Sequence, residues 1–280
     1  MSPSKISIPE YDFVDARYDQ GSSSPTTNLL IIFSTPRSGS TYLCDLLLHN
    51  EACIAHEYFQ PYHYMKILSE RWDAPIQNGD LSNYVEKLKQ YRTFPNGCLG
   101  INLHGEHLPV YLRAEKYFAA LDVTYVHVVR RDQIAQAVSF HIAMQTRQWS
   151  SRYKSDRDPS YNYHLIRRRL EHISNGNNAI SAFLRLRNAD AVTIVYEDLI
   201  ADPAKELARL PLQVSSVSTK KIGLKRQTNQ INEQFAKKFS QQHISGMPEF
   251  KQFGTAKPWP WHKVDTWARR HIPAYWRLST

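Results

Sequence analysis

The stretch LLIIFSTPRSGSTYL, residues 29–43, constrains the fold of this chain more than any other part of its sequence. It begins with an apolar run, 29–33, whose length is typical of a strand that is buried on both faces. A turn of small residues follows, and leucines at 43, 46 and 47 then recur with the spacing of a helix. A buried strand that passes through a tight turn into a helix predicts an α/β fold.

The alternation of strand and helix patterns continues along the chain. Further buried strands are predicted at 98–103, 124–129 and 191–196, and helices at 41–49, 81–91, 109–120, 133–147 and 163–188. Because strands that alternate with helices are typical of parallel sheets, we expect a central, mostly parallel sheet flanked by helices.

The length of 280 residues is sufficient for one large domain. We predict a loosely ordered leader at 1–28, where Ser, Pro and Asp are frequent, and a single domain at 29–280. Within that domain the polar segment at about 150–162 is expected to be a mobile loop. The aromatic and basic tail at about 256–280 is expected to pack on the domain or to form part of a substrate or subunit surface.

The charge and the cysteine content limit the classes of binding partner and the cellular compartments that we expect for this chain. The formal net charge of +9 favours anionic partners such as nucleotides, sulfated groups, nucleic acid or acidic membranes. Three cysteines, none of them in a CxxC pair, disfavour a disulfide framework and a structural zinc site and favour a reducing compartment. The N-terminal residues contain no signal-peptide core, and no apolar run approaches the roughly 20 residues that span a bilayer. We therefore predict a cytoplasmic location and no transmembrane segment.

The turn TPRSGST after the first strand has the features of an anion-binding loop. Gly39 permits close approach of the backbone to a ligand, and the N–H groups at the start of a helix carry partial positive charge. The hydroxyls of Ser38, Ser40 and Thr41 add donors. Arg37 offers a planar fork for phosphate or sulfate oxygens. Taken alone, this turn is as consistent with a simple N-terminal helix cap, with its arginine in solvent, as it is with an anion-binding loop.

The loop differs from the triphosphate-binding sequence GxxxxGK[ST] in its spacing and in its lack of the lysine. That lysine reaches the terminal phosphates of a nucleoside triphosphate. A nucleotide kinase or triphosphatase with a degenerate loop is therefore the weaker alternative.

A second basic motif follows the strand predicted at 124–129. Arg130, Arg131 and Asp132 lead into a helix that carries Ser139. About two helical turns separate Arg131 from Ser139, so this hydroxyl can face back toward the end of the strand. Alone, the motif is also consistent with a helix capped by Asp132 and two solvated arginines. Because ligands bind at the carboxyl ends of parallel strands, the two loops together predict a ligand with phosphates at both ends.

The motifs TPRSGST and RRDQIAQAVS resemble those of the sulfotransferases that use 3′-phosphoadenosine 5′-phosphosulfate (PAPS) as donor. Four further blocks are similar to the bacterial carbohydrate sulfotransferases, which include the trehalose and nodulation-factor enzymes: EYFQPY at 57–62, AVSFHIAMQTRQW at 137–149, YEDL at 196–199 and KRQTNQ at 225–230. The blocks run in the family's order from about residue 29 to residue 240. This resemblance implies a three-layer P-loop-like fold and a PAPS-dependent sulfotransferase.

The resemblance assigns the first loop to the 5′-phosphosulfate of the donor. In the family a basic residue of this loop contacts the sulfuryl group and the leaving phosphate, and Arg37 is the match. The small residues that match the rest of the phosphate cradle are Ser38, Gly39, Ser40 and Thr41.

The resemblance assigns the second motif to the 3′-phosphate. Ser139 matches one part of the family's clamp, and either Arg130 or Arg131 matches the other. The eight-residue spacing to Ser139 favours Arg131, whereas alignment on the aspartate selects Arg130 equally well. Arg226 and Gln227 match a later block that closes over the nucleotide.

The resemblance also implies a general base for the acceptor hydroxyl. The family's proposed base is a glutamate shortly after the first helix, where Glu57 stands, and a carboxylate there can take the proton as the hydroxyl attacks sulfur. His104 is the alternative, because cytosolic sulfotransferases place a catalytic histidine after the corresponding strand and behind a lysine. Asn102 replaces that lysine here. His56, beside Glu57, is a weaker candidate.

For the acceptor, the family implies a carbohydrate or a glycolipid, and by analogy a homodimer is possible. The scheme needs no metal, and the histidines show no metal-ligand spacing, so no metal is predicted. A basic nucleic-acid-binding module is a further alternative that predicts steeply salt-dependent binding. The sequence carries no recognisable nucleic-acid motif, so we expect no nucleic-acid partner.

Overall fold

A four-stranded parallel sheet forms the centre of the structure. In the computed structural model, which describes residues 13–21, 24–150, 157–212 and 230–246, the strands are β1 (Asn28–Ser34), β2 (Cys98–His104), β3 (Asp122–Val129) and β4 (Ala191–Val195). Their order is β2-β1-β3-β4, and each neighbouring pair runs parallel. The predicted α/β fold with a central, mostly parallel sheet is confirmed.

The helices of the described residues connect and flank these strands. They are α1 (Ser40–His49), α2 (Tyr64–Arg71), α3 (Ser82–Arg92), α4 (Leu108–Ala114), α5 (Gln133–Thr146), α6 (Tyr163–Leu186), α7 (Tyr196–Ala201), α8 (Pro203–Ala208) and α9 (Gln230–Gly246). Short 3₁₀ turns occur at Ala16–Tyr18, Gly105–His107 and Glu115–Phe118.

The sequence patterns located α1, α3, α5 and α6 closely but did not predict α2, α7, α8 or α9. The helix predicted at 109–120 is two elements, α4 and the 3₁₀ turn that follows it. The strand predicted at 191–196 ends one residue earlier, because Tyr196 begins α7. The helices α7 and α8 have six residues each, which is too few for a helical repeat to be visible.

Two hydrophobic cores on opposite faces of the sheet give the fold its three layers. Successive side chains of β1 alternate between them, since Ile31 belongs to the core that contains residues of α3 and α4, and Ile32 belongs to the core that contains residues of α1 and α7. Every residue of β1 after Asn28 is buried. A central strand that is apolar on both faces is the arrangement predicted from its continuous apolar run.

Part of the segment predicted as a leader packs on the domain. Phe13 and Val14 are buried, one in each of the two cores. Asp19 forms ion pairs with Arg71 at 2.7 Å and with the fully buried Arg92 at 3.0 Å. These contacts fix residues 13–19 against α2 and α3, because a buried guanidinium requires a charged partner. Residues 1–12 and 22–23 lie outside the described residues.

Several predicted features fall partly or wholly outside the described residues. In the loop predicted at 150–162, residues 151–156 lie outside, and Ser160 donates its backbone N–H to Gln145 at 2.7 Å. The tail predicted at 256–280 lies outside altogether. The chain forms two compact units, the first ending at Ala236 and the second beginning at Lys237. None of the described helices is both long and apolar enough to cross a membrane.

Candidate active site

The site lies where the direction of chain connections reverses in the sheet. From β1 the chain crosses to β2 on one side and later to β3 on the other. In sheets of this order, ligands bind in the crevice beyond the carboxyl ends of the strands that flank such a reversal. The loops after β1 and β3 therefore meet at this edge, and β2 ends beside β1, with His104 paired to Ser34.

The loop between β1 and α1 is a tight turn that only glycine can complete at its last position. Gly39 has φ of 99°, in the left-handed region, and its carbonyl accepts the N–H groups of Tyr42 and Leu43 at 3.0 and 3.2 Å. A Cβ atom at Gly39 would collide with the ring of Tyr196, which packs directly against the turn. The backbone of the turn and the Tyr196 ring are thus in close contact.

The hydroxyl groups of the loop differ in their environment. The Oγ atom of Ser38 is buried and has no hydrogen-bond partner among the described residues. Ser40 is buried and accepts a hydrogen bond from Asn102, whereas Thr41 is exposed. Because buried hydroxyls in proteins are nearly always paired, the Ser38 hydroxyl is a candidate hydrogen-bonding group for a ligand.

Arg37 connects the two predicted anion-binding motifs. Its Nε atom donates to the Oγ atom of Ser139 at 3.0 Å, and its Nη1 atom donates to the carbonyl of Trp149. Its backbone also has a positive φ of 65°, which is uncommon for a residue with a side chain and typical of functional sites. Burial, followed by the charge of Arg130, lowers the pKa of Arg37 to about 10, so the side chain stays cationic at pH 7.

The two consecutive arginines after β3 point in different directions. The side chain of Arg130 is 11% exposed, and its guanidinium lies 4.9 Å from the centre of the Tyr196 ring. Its Nε atom forms an ion pair with the Oε1 atom of Glu197 at 3.9 Å but makes no hydrogen bond in the described part of the chain. Arg131 is 61% exposed and pairs with Asp198 at 2.7 Å, an interaction that lowers the pKa of Asp198. Arg130 thus packs on the same Tyr196 ring that contacts the turn at Gly39, and its charge acts on Arg37.

Two buried amides that the sequence analysis did not assign to the site hold the first loop in place. Asn102 of β2 accepts a hydrogen bond from Ser34 at 2.8 Å and donates one to Ser40 at 3.2 Å. Gln136 of α5 donates to the Oγ1 atom of Thr35 at 3.0 Å and to the carbonyl of Pro36 at 2.8 Å. Each amide could have been identified in the sequence as a polar residue within an otherwise apolar strand or helix face.

Glu57 and His104, the two predicted alternatives for the general base, lie next to each other. The Oε1 atom of Glu57 is 3.7 Å from the Nε2 atom of His104, and the imidazoles of His104 and His107 stack with centroids 5.3 Å apart. Burial lowers the pKa of His104 and that of His107 to about 4 each, so both rings are neutral at pH 7. His107 was not predicted as a site residue, because its closeness to Glu57 depends on how a distant segment packs on β2.

A second acid–histidine pair stands beside this group. The Nε2 atom of His172, on α6, is 2.7 Å from the Oε2 atom of Glu106, and this hydrogen bond lowers the pKa of Glu106. His56, the weaker candidate base, packs instead among aromatic rings, including those of Phe13 and Tyr64. Two carboxylates and three imidazoles therefore stand together near the end of β2: those of Glu57, Glu106, His104, His107 and His172.

Most of the predicted site residues come together in the structure, and two cannot be placed. Arg226 and Gln227 lie outside the described residues. The remaining candidates surround the carboxyl ends of β1, β2 and β3, with cationic groups on the β3 side and the Glu57 carboxylate on the β2 side. Such a site can hold an anion next to a group that accepts a proton.

Comparison with known protein families gives a match that covers most of the chain. The model of the Stf0 sulphotransferase family matches residues 29–242, about three quarters of the chain. No curated protein matches the sequence. The matched range begins within β1 and includes every site element described above. The chain therefore belongs to the Stf0 sulphotransferase family, as its resemblance to the sulfotransferases predicted.

Proposed function

We propose that this sulfotransferase moves a sulfuryl group from PAPS to a hydroxyl of a carbohydrate or glycolipid acceptor. One observation carries the donor assignment: Arg37 lies within the electrostatic influence of Arg130, in a loop where the hydroxyl of Ser38 is buried without a partner among the described residues. Two cations next to an unsatisfied donor at a helix start fit a nucleotide that bears anionic groups at both ends.

The loop after β1 is assigned to the 5′ end of the donor. When bound, PAPS supplies the sulfuryl group and the phosphate from which that group departs. Arg37 and the N–H groups at the start of α1 stabilise the negative charge that develops on this phosphate. Electrostatic stabilisation of this kind makes the largest contribution to the rate in many group-transfer enzymes. The hydroxyls of Ser38, Ser40 and Thr41, with the backbone of Gly39, complete the cradle.

Arg130 and Ser139 are assigned to the 3′-phosphate. Arg130 is mostly buried and lies over Tyr196, whereas Arg131 is engaged by Asp198 at the surface. This geometry favours Arg130 of the two arginines. Arg226 and Gln227 are assigned to the closing block on the strength of the family's motif alone.

The Glu57 carboxylate is assigned as the general base. In this scheme it takes the proton of the acceptor hydroxyl while that oxygen attacks sulfur in line with the departing phosphate. The carboxylate is 20% exposed and stands at the end of β2, next to the strand that carries Arg37's loop. His104 is close enough to serve as the alternative base or to orient Glu57.

The acceptor side is polar, which suits a polyhydroxylated ligand. The Glu106–His172 pair and Glu57 offer hydrogen-bonding groups at the same edge of the sheet. A carbohydrate or glycolipid acceptor, a cytoplasmic location and a homodimer remain predictions from the family and the composition.

The experiment that tests the assignment of the base compares three variants of the full chain. With PAPS and a panel of carbohydrate acceptors, Glu57→Gln should lower the rate of sulfuryl transfer by about 10²- to 10⁴-fold, the usual contribution of a general base. Binding of 3′-phosphoadenosine 5′-phosphate should stay within twofold of the wild-type value. Glu86→Gln, at an exposed glutamate of α3, is the control and should retain activity. Full activity in Glu57→Gln together with loss of activity in His104→Gln would assign the base to His104.

A further inference from the structure

The proposed base and two neighbouring histidines have the composition of a metal site. One ligand atom from each of Glu57, His104 and His107 lies within 4.8 Å of the other two. His104 ends β2 and His107 ends the short turn after it, whereas Glu57 comes from the segment before α2. A bridge between His56 and Ile101 holds that segment against β2, so the backbone fixes all three positions.

The donor set is one that zinc prefers. Structural and catalytic zinc ions bind imidazole nitrogens and carboxylate oxygens at about 2.0–2.2 Å, which places tetrahedral ligand atoms about 3.4 Å apart. The Glu57 Oε1 atom and the His104 Nε2 atom are already 3.7 Å apart. Small side-chain rotations therefore bring the set to coordination distances. Three protein ligands leave a fourth position open.

The surroundings of His107 support a ligand role for its ring. Its side chain is 7% exposed, and its Nε2 atom lies 3.6 Å from the Oε1 atom of Glu106. Its Nδ1 atom is buried and has no hydrogen-bond partner among the described residues. Metal-bound histidines commonly present their second nitrogen to a carboxylate, which fixes the ring. Glu106 is itself held by His172, so it can fill that role.

We propose that Glu57, His104 and His107 form a binding site for Zn²⁺, and that the bound ion reversibly inhibits sulfuryl transfer. A zinc ion on Glu57 engages the carboxylate lone pairs that would accept the acceptor's proton. The ion also occupies space at the end of β2, where the acceptor hydroxyl is placed. The inhibitory part rests on the proposed function, whereas the binding part rests on the three side chains alone. The catalytic scheme itself needs no metal.

The binding part is tested with full-length protein that carries no histidine tag and has been treated with a chelator. Titration calorimetry with Zn²⁺, and absorption spectra with Co²⁺, should show one ion per chain. Loss of a residue that only hydrogen-bonds to a metal ligand commonly weakens metal binding by roughly 10- to 100-fold. His107→Gln removes a ligand itself, so it should weaken Zn²⁺ binding by at least about 100-fold. His164→Gln, at an exposed histidine of α6, is the matched control and should leave the affinity unchanged.

Either of two results would overturn the binding part. One is the absence of Zn²⁺ binding to the wild-type chain, and the other is equal affinity in His107→Gln and His164→Gln. Stabilisation of His107→Gln by 3′-phosphoadenosine 5′-phosphate verifies that this variant is folded, so a loss of metal binding cannot be attributed to unfolding.

The inhibitory part is tested by the rate of transfer at increasing Zn²⁺ concentration. Inhibition should be competitive with the acceptor, should leave donor affinity unchanged, and should be reversed by a chelator. Activation by Zn²⁺, or inhibition that persists in His107→Gln at the same concentration, would overturn it. Because metal binding is read by calorimetry and by Co²⁺ spectra, failure of the zinc site and failure of the proposed transfer are distinguishable.

Discussion

At the scale of single residues, the loop after β1 depends on an arginine whose side chain contacts other elements of the fold. Arg37 reaches Ser139 with Nε and the Trp149 carbonyl with Nη1. A lysine has one compact ammonium at the end of a flexible stem and cannot reproduce this fork geometry. The absence of the triphosphate-loop lysine is therefore consistent with a loop that also anchors α5.

The two arginines after β3 give a prediction that separates their roles. Replacing Arg130 with Gln should weaken the binding of 3′-phosphoadenosine 5′-phosphate by about 10- to 100-fold, because a hydrogen bond to a charged group contributes about 1.5–3 kcal/mol. Replacing Arg131 with Gln should change it by less than about threefold, since this side chain is exposed and paired with Asp198. Titration calorimetry measures both. A larger effect at Arg131 would reverse the assignment.

The turn glycine gives a prediction about stability. Gly39→Ala should lower the free energy of unfolding by about 2–4 kcal/mol, because a side chain at φ of 99° is strained and its Cβ atom collides with Tyr196. Gly21→Ala is the matched control, since Gly21 also has a positive φ but no described residue lies within 4 Å of its added Cβ atom. It should cost only about 1–2 kcal/mol. Urea unfolding of the two variants measures the difference, and equal losses would contradict the role of the Tyr196 ring.

At the scale of secondary-structure elements, buried amides join the neighbouring elements to the loop. Asn102 links β2 to β1 and α1, and Gln136 links α5 to the loop backbone. Each amide is almost fully buried. Both positions need a polar side chain because the groups they pair would otherwise be buried without partners. The elements around the loop thus fix its conformation.

The amide of α5 can be tested by removing its hydrogen bonds while its volume is kept. Gln136→Met leaves the Thr35 hydroxyl and the Pro36 carbonyl without this donor, which should lower stability by about 1–3 kcal/mol and weaken donor binding. Gln133→Met, at an exposed position one turn earlier on the same helix, should have little effect on either property. Thermal unfolding and calorimetry measure both. An unchanged donor affinity in Gln136→Met would show that α5 does not position the loop.

The elements that the sequence predicted well are those whose burial follows a regular pattern. The strands β1 and β2 were found because nearly all their side chains are buried, and α6 was found because its length shows the helical repeat. The two anion-binding motifs were also recognisable, since each is contiguous in sequence. The grouping of Glu57 with His104 and His107 was not, because it depends on how the segment before α2 packs on β2. The choice between Arg130 and Arg131 likewise depended on Asp198, which follows a different strand.

At the scale of the whole molecule, the strand order determines which groups lie on each side of the loop after β1. Because β1 lies between β2 and β3, its loop separates the cationic groups after β3 from the Glu57–His104 group at the end of β2. A donor on one side and an acceptor on the other would therefore meet at Arg37. The formal net charge of +9 suits a doubly phosphorylated donor.

The binding of 3′-phosphoadenosine 5′-phosphate, compared with adenosine 5′-phosphate and ATP, tests the central claim most directly. A ligand present at about 100 times its Kd stabilises the native state by about 2.7 kcal/mol, which raises the unfolding temperature by a measurable amount. The proposed site requires a 3′-phosphate, so only 3′-phosphoadenosine 5′-phosphate should produce this shift at the chosen concentration. Equal shifts with all three nucleotides, or no shift with any of them, would contradict a site built for a nucleotide with phosphates at both ends.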